Sequence, residues 1–496
     1  MHNEKLHIIN LAKKGTFQTS GSYATGPEDV DRIFTRMAET QADHLAVYFH
    51  GGLVSEQRGI EAAIRLLPSF QAAGTYPVFF VWESGWQETI GDNLAAILDE
   101  PLFKTIVEWV FKFVLGKLSE QPGAHGLTLD LPPTSDVHAE LSSPAPFAAF
   151  DDSSARQNLS ELTPEQLAQF ENALSQSRQL EDRLFEILDS IEEAPGVAAP
   201  DEEMPQPRLV STQTRLSSEV LEQIQADNPD GSHGLISTAA LVKLGATVLA
   251  RTIRRLLNKT DHGVYTTVIE ETLRGLYADQ IGRWLWDRMK ARIEDAFAPN
   301  GHLSGANLHG GTYFLEKLKA HLERHPEFKV SLIGHSAGGI YICRFIANAA
   351  RLAPALKYHR VVMLAPGCDF ELFRASILPN QERIGLFRMF ALSDTLECKD
   401  AIASAAYPRS LLYFVSGVLE GDDEKPIVGM QRFYGGKEPY DQPALGEVCT
   451  YVAAAPNVVW TTVGDAQPGL NSLAAGHGKF SDDPTTIESL SYLLST

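Results

Sequence analysis

An α/β fold built on a mainly parallel sheet, carrying a large and mostly helical insertion, is the architecture this sequence predicts. Three observations lead there. Short runs rich in β-branched and aromatic residues recur along the chain, helical patterns separate most of them, and one long stretch breaks the alternation. The runs are Leu45–Phe49 (LAVYF), Pro77–Trp82 (PVFFVW), Lys329–Ile333 (KVSLI), Arg360–Leu364 (RVVML), Phe387–Leu392 (FRMFAL) and Asn457–Val463 (NVVWTTV). Each is nearly continuous in apolar residues, as a strand covered on both faces must be.

Leu6–Leu11 reads as an additional, antiparallel edge strand. The helical patterns between runs are Val30–Glu39, Ile60–Ala73, Gly311–Arg324 and Gly339–Leu352. The alternation stops between about Asp92 and Asn307. Leu102–Leu118 reads as an amphipathic helix with a bulky aromatic face. Ser119–Leu159 and Ala194–Gly234 have the Pro/Ser/acid-rich composition of linkers. Between them, Thr163-Pro164-Glu165-Gln166 is a capping box with proline at the first helical position, and it opens a helical pattern running to Glu193. Leu235–Leu257 and Val264–Phe297 read as long helices. The expected organisation is therefore a core in two parts, residues 1–92 and 308–496, with residues 93–307 forming an acidic, partly disordered cap or lid.

Charge is unevenly spread along the 496 residues, whose formal net charge is −21. Residues 121–235 hold 21 acidic side chains against 5 basic ones, while the rest holds 42 against 37. The acidity thus belongs to the insertion, and no basic footprint exists for nucleic acid. Anionic lipid is disfavoured on the same ground, which leaves a transient hydrophobic contact with a membrane surface. The four cysteines, Cys343, Cys368, Cys398 and Cys449, fit neither a disulfide framework nor a zinc signature. The first residues lack an apolar segment of signal type, and the most apolar run, Leu235–Ala250, is shorter than the about 20 residues a membrane span takes. A cytoplasmic location is the expectation.

The sequence Gly334-His335-Ser336-Ala337-Gly338-Gly339 contains G-x-S-x-G. Alone the pattern is weak, but KVSLI ends directly before it and GGIYICRFIANAA starts directly after it. A serine on a sharp strand-to-helix turn has its Oγ lifted clear of the sheet, and flanking glycines remove the Cβ atoms that would clash there. The alternative is a glycine-rich turn whose serine only caps the helix. Ser336 is the expected nucleophile. Acyl transfer also needs two N–H donors aimed at one oxygen, one from the residue after the nucleophile, here Ala337, and one from a loop after an earlier strand. LAVYF is followed by His50-Gly51-Gly52-Leu53, where Gly52 or Leu53 would supply the second donor.

With HGGL after one strand and GHSAGG between a strand and a helix, the chain resembles the α/β-hydrolase superfamily on its lipase and esterase side. The resemblance covers roughly residues 1–92 and 308–496. It implies a Ser–acid–His triad in that chain order. Asp394 follows FRMFAL, the second strand after the nucleophile strand, where the superfamily places its acid, and Asp369, after RVVML, is the rival. His477, in Gly476-His477-Gly478, is the histidine that lies beyond Asp394. The implied reaction is cleavage of a small-molecule or lipid-like carboxylic ester through an acyl-serine, with no metal or organic cofactor. An amidase or peptidase on the same residues, and an idle scaffold binding a partner through its acidic insertion, are the alternatives. Trp109, Phe111, Phe113 and the run Leu235–Leu257 suggest either an acyl-binding surface or internal packing of helices. Ala401–Gly446, with the apolar run Leu411–Leu419, is a second segment able to cover the site.

Overall fold

The computed structural model describes residues 4–21, 23–52, 55–82, 87–120, 128–143, 145–151, 156, 159–192, 216–228, 237–278, 283–403, 407–421 and 424–496. Seven strands form one sheet: β1 (Ile8–Leu11), β2 (His44–Phe49), β3 (Tyr76–Trp82), β4 (Lys329–His335), β5 (Tyr358–Leu364), β6 (Ile384–Leu392) and β7 (Val458–Thr461). All pairings are parallel, in the order β1-β3-β2-β4-β5-β6-β7. β1 corrects the expectation of an antiparallel edge: Ile8–Leu11 runs alongside Phe79–Trp82 in the same direction. The helix Pro27–Glu39 lies between β1 and β2, giving the long crossover that parallel strands require and a hairpin does not.

Period-two alternation sorts the strand residues between two cores. Leu45, Val47 and Phe49 face the helices Pro27–Glu39, Gly310–Arg324 and Gly338–Leu352 through Phe34, Phe314 and Phe345. Ala46 and Tyr48 face the helices Glu56–Ala72 and Pro484–Ser495 through Phe70 and Leu490. Both faces are covered, which accounts for strands that read as uninterrupted apolar runs. The first of these cores continues without a break into the helices that follow β3.

Those helices occupy the stretch expected as an insertion. Leu102–Leu118 is a helix from Pro101 to Leu118, and the Thr163 capping box forms with Gln166 as read. Two expected long patterns each divide, into Pro164–Ser175 with Arg178–Glu192, and into Val264–Leu276 with Arg283–Asp295. The first linker tract is more ordered than its composition suggests. It holds a helix, Thr134–Leu141, with Val137 buried, and Phe147 stacks on Phe111 with ring centroids 4.2 Å apart. Most of the second tract lies outside the described residues.

The aromatic and apolar faces singled out in the insertion are largely internal, while Trp109 is half-buried at the edge of the core. Phe111 and Phe113 are buried, Phe113 meets Phe170 edge-on at 4.9 Å, and Leu241, Leu249 and Ile253 of the helix Ala239–Asn258 are buried as well. Packing, not an open acyl-binding surface, explains those stripes. No helix among the described residues is long and apolar enough to cross a membrane. The four cysteines are free thiols.

Candidate active site

The strand order places the site. From β2 the sheet grows toward β3 on one side and toward β4 on the other, so the loops after β2 and β4 leave the carboxyl edge in opposite senses and open a crevice between them. The loop after β2 carries His50-Gly51-Gly52 and the loop after β4 carries Ser336.

Ser336 sits at φ +56°, in the left-handed region, between β4 and the helix Gly338–Leu352. A side chain there is strained, and the surroundings hold it. Its N–H donates to the Leu364 carbonyl at 2.8 Å, and its own carbonyl accepts from Gly339 and Gly367, each at 2.9 Å. Close approach explains two of the motif glycines. A Cβ on Gly334 would lie 2.4 Å from the Gly338 carbonyl oxygen, and one on Gly338 would lie 2.3 Å from the Phe49 carbonyl oxygen. The turn is thereby wedged against the end of β2.

Gly51 packs on Ser336, its would-be Cβ 3.4 Å from Ser336 Cβ, and Gly52 packs on Ala337, with 2.5 Å between the corresponding Cβ positions. Ala337 immediately precedes the first turn of the helix Gly338–Leu352, so its N–H is among those without an intrahelical acceptor. Gly52 and Ala337 therefore stand side by side, each adjoining in sequence one member of the Gly51–Ser336 contact. Leu53 lies outside the described residues. His50 serves the loop: its Nδ1–H donates to the Gly51 carbonyl at 2.6 Å, its Nε2 accepts from Trp82 N–H at 3.2 Å, and its ring stacks on Trp82 at 3.8 Å. Burial pulls it down to about 4, so it is neutral.

His477 Nε2 lies 2.9 Å from Ser336 Oγ. Both side chains are buried, each residue 6% exposed. Burial first, and then the neighbouring His335, draw His477 down to about 3, so the imidazole is neutral and Nε2 is free to accept the hydroxyl proton. The proton on the neutral ring then resides on Nδ1, and Nδ1 is buried with no hydrogen-bond partner among the described residues.

Asp394, the expected acid, is not at that nitrogen. It begins the short helix Asp394–Glu397 after β6, its N–H donates to Gln431 at 2.9 Å, and its carboxylate accepts from the Tyr413 hydroxyl at 2.7 Å. Tyr413 in turn accepts from Arg432, which pairs with Glu424. Glu424 meets His262 Nε2 at 2.9 Å, and Glu270 takes His262 Nδ1 at 2.7 Å and Arg255 at 2.8 Å. Asp394 thus ends a polar chain that ties the insertion to the segment after β6. The rival, Asp369, caps the helix Phe370–Ser376 by accepting from Leu372 N–H at 2.7 Å.

Two residues the sequence reading passed over do touch His477. Asp400 accepts from its backbone N–H at 2.7 Å, and His335 Nε2–H donates to its carbonyl at 2.9 Å. His335 occupies the variable position of G-x-S-x-G, and Asp400 carries no signal beyond its place in an acidic loop.

The roof comes from the insertion. On the helix Arg283–Asp295, Met289 Sδ would lie 2.1 Å from a Cβ on Gly52, and the Trp286 ring would lie 3.5 Å from a Cβ on Gly367. Trp286 Nε1–H and Lys290 both donate to Glu420, at 2.6 and 2.8 Å. Glu420 follows Val415–Leu419, part of the second segment expected to cover the site, so the two candidate covers meet over the serine. No family model, curated protein or solved structure matches the chain.

Proposed function

We propose that the protein is a serine hydrolase of the α/β-hydrolase type that cleaves carboxylic esters through an acyl-serine. One observation carries the reading: a serine held in the left-handed region at the carboxyl edge, its Oγ 2.9 Å from the Nε2 of a neutral histidine, beside a glycine loop and a helix start. His477 would take the Ser336 proton as Oγ attacks the carbonyl. The N–H groups of Gly52 and Ala337 would face the oxyanion, and the protonated imidazole would return its proton to the leaving alkoxide. Water activated by His477 would then release the acid. The unsatisfied Nδ1–H marks where an acceptor would stabilise the imidazolium.

A second reading draws on the same pair of facts. Because Nδ1 has no acceptor among the described residues and Ser336 is buried, an idle scaffold that binds a partner is the competing description. Fluorophosphonate labelling decides between them. The hydrolase reading expects the wild type to be labelled and Ser336→Ala to be spared, with hydrolysis of p-nitrophenyl acetate falling by about 10⁶-fold in the variant. An unlabelled wild type would leave the scaffold.

A further inference from the structure

His477 is held by its peptide. Its N–H donates to Asp400 and its C=O accepts from His335, at 2.7 and 2.9 Å, while the other ring nitrogen, Nδ1, has no hydrogen-bond partner among the described residues. In a Ser–His–acid arrangement the imidazole is oriented through its ring. Here the two recorded restraints act on the backbone on either side of Cα. We propose that Asp400 and His335 are positioning residues that form a clamp on the His477 peptide and thereby set the imidazole against Ser336. This rests on the hydrolase reading for its kinetic consequence, although the clamp itself is a matter of geometry.

Three features support a built arrangement. Asp400 is fixed from its own side, its N–H donating to the Leu396 carbonyl at 2.9 Å. Gly476 makes room for it, since a Cβ there would lie 2.9 Å from Asp400 Oδ1. Gly476 has extended backbone angles, φ −157° and ψ 154°, that any residue can adopt, so the glycine answers a need for space rather than for conformation. His335 is neighbour to the nucleophile in sequence and to the base in space. It therefore couples the elbow to the loop bearing His477: a shift of one is transmitted to the other through a single hydrogen bond. Burial lowers its basicity, which keeps a second positive charge away from an imidazole that must become protonated. The clamp is demanding because displacement of a reacting group by about 1 Å can cost about 10²-fold in rate.

The test compares Asp400→Ala with Asp400→Asn, and His335→Leu with His335→Gln, in the full-length protein. Asparagine and glutamine keep an acceptor and a donor of similar reach. The clamp predicts that the alanine and leucine variants lose about 10- to 100-fold in kcat, and in the rate of fluorophosphonate labelling, at unchanged KM. It predicts that the asparagine and glutamine variants stay within about threefold of wild type. Gly476→Ala, which crowds the Asp400 carboxylate without altering it, should fall in between. Melting temperatures separate loss of fold from loss of alignment, and a crystal structure of Asp400→Ala reads the clamp directly. Full-rate labelling of Asp400→Ala, or an imidazole still 2.9 Å from Ser336 Oγ in that structure, overturns the inference. A wild type that does not label would refute the hydrolase reading instead, and the crystal structure would still decide whether the clamp exists.

Discussion

Replacing Asp394 by asparagine separates a residue that orients the base from one that ties the insertion down. The substitution keeps shape and removes charge. Tyr413 can still donate to the amide oxygen, so the 2.7 Å contact changes from a charge-assisted bond to a neutral one. Bonds to charged groups contribute about 1.5–3 kcal/mol and neutral ones about 0.5–1.5, so the expected loss of stability is about 1–2 kcal/mol. Activity should fall by less than about tenfold, under about 1.4 kcal/mol in the barrier. A triad acid behaves differently: its amide replacement drops turnover by about 10⁴ while leaving geometry intact. The assay is kcat on p-nitrophenyl acetate, with fluorophosphonate labelling of Ser336 and a melting curve alongside. A 10⁴-fold fall at unchanged melting temperature would refute the reasoning. It would mean that the Tyr413 contact belongs to a resting arrangement and that Asp394 swings to Nδ1 in turnover.

Gly52→Ala would place a Cβ 2.1 Å from Met289 Sδ and 2.5 Å from Ala337 Cβ. It should lower kcat by about 10²–10³, as removal of an oxyanion donor does, and Met289→Ala in the same chain should restore part of the loss. Because burial holds His477 at about 3 against an ordinary 6.5, the acid limb of kcat/KM should have its midpoint well below 6.5; a midpoint at or above 6.5 would contradict the buried imidazole. Between those two values the unfolded chain binds a proton that the folded one refuses, so this group's contribution to stability falls as pH falls through the window. Glu397 works in the opposite sense. Burial, in a segment that also holds Asp400 and Asp394, raises it to about 8. Its contribution is complete below 4.5 and is lost as pH rises toward 8, by up to about 1.4 kcal/mol per unit. The melting temperature of Glu397→Gln relative to wild type should therefore rise from pH 5 to about pH 8 and level off above it.

The strands and the elbow were legible because each follows from local chemistry. β2 to β6 reveal themselves as apolar runs, and Gly334 and Gly338 stand where carbonyl oxygens approach within the radius of a Cβ. His477 was legible through chain order and its flanking glycines. What escaped is what depends on three-dimensional competition for partners. Nothing in Ser393-Asp394-Thr395 reveals that Tyr413 will capture the carboxylate, nor does the variable position of G-x-S-x-G advertise that His335 will reach another peptide 142 positions away. The direction of β1 was hidden for a related reason: alternation reports which faces are buried, not which way a strand runs. The linker composition of Ser119–Leu159 did not reveal the helix Thr134–Leu141, because buried apolar side chains such as Val137 and Phe147 weigh little in an average.

The pairing of β2 with β4 joins His44 to Lys329 and Phe49 to Gly334, across 285 positions of chain. Until β4 is made, the three strands that precede it form a ribbon whose last member, β2, offers a bare row of amides and carbonyls to any extended chain nearby. Ribosomal synthesis at about 5–20 residues per second leaves that edge uncovered for about 15–60 s. The crevice at this seam cannot form until β4 is made, so a nascent chain carries Gly51-Gly52 long before Ser336 arrives to pack against it, and His477 arrives later still.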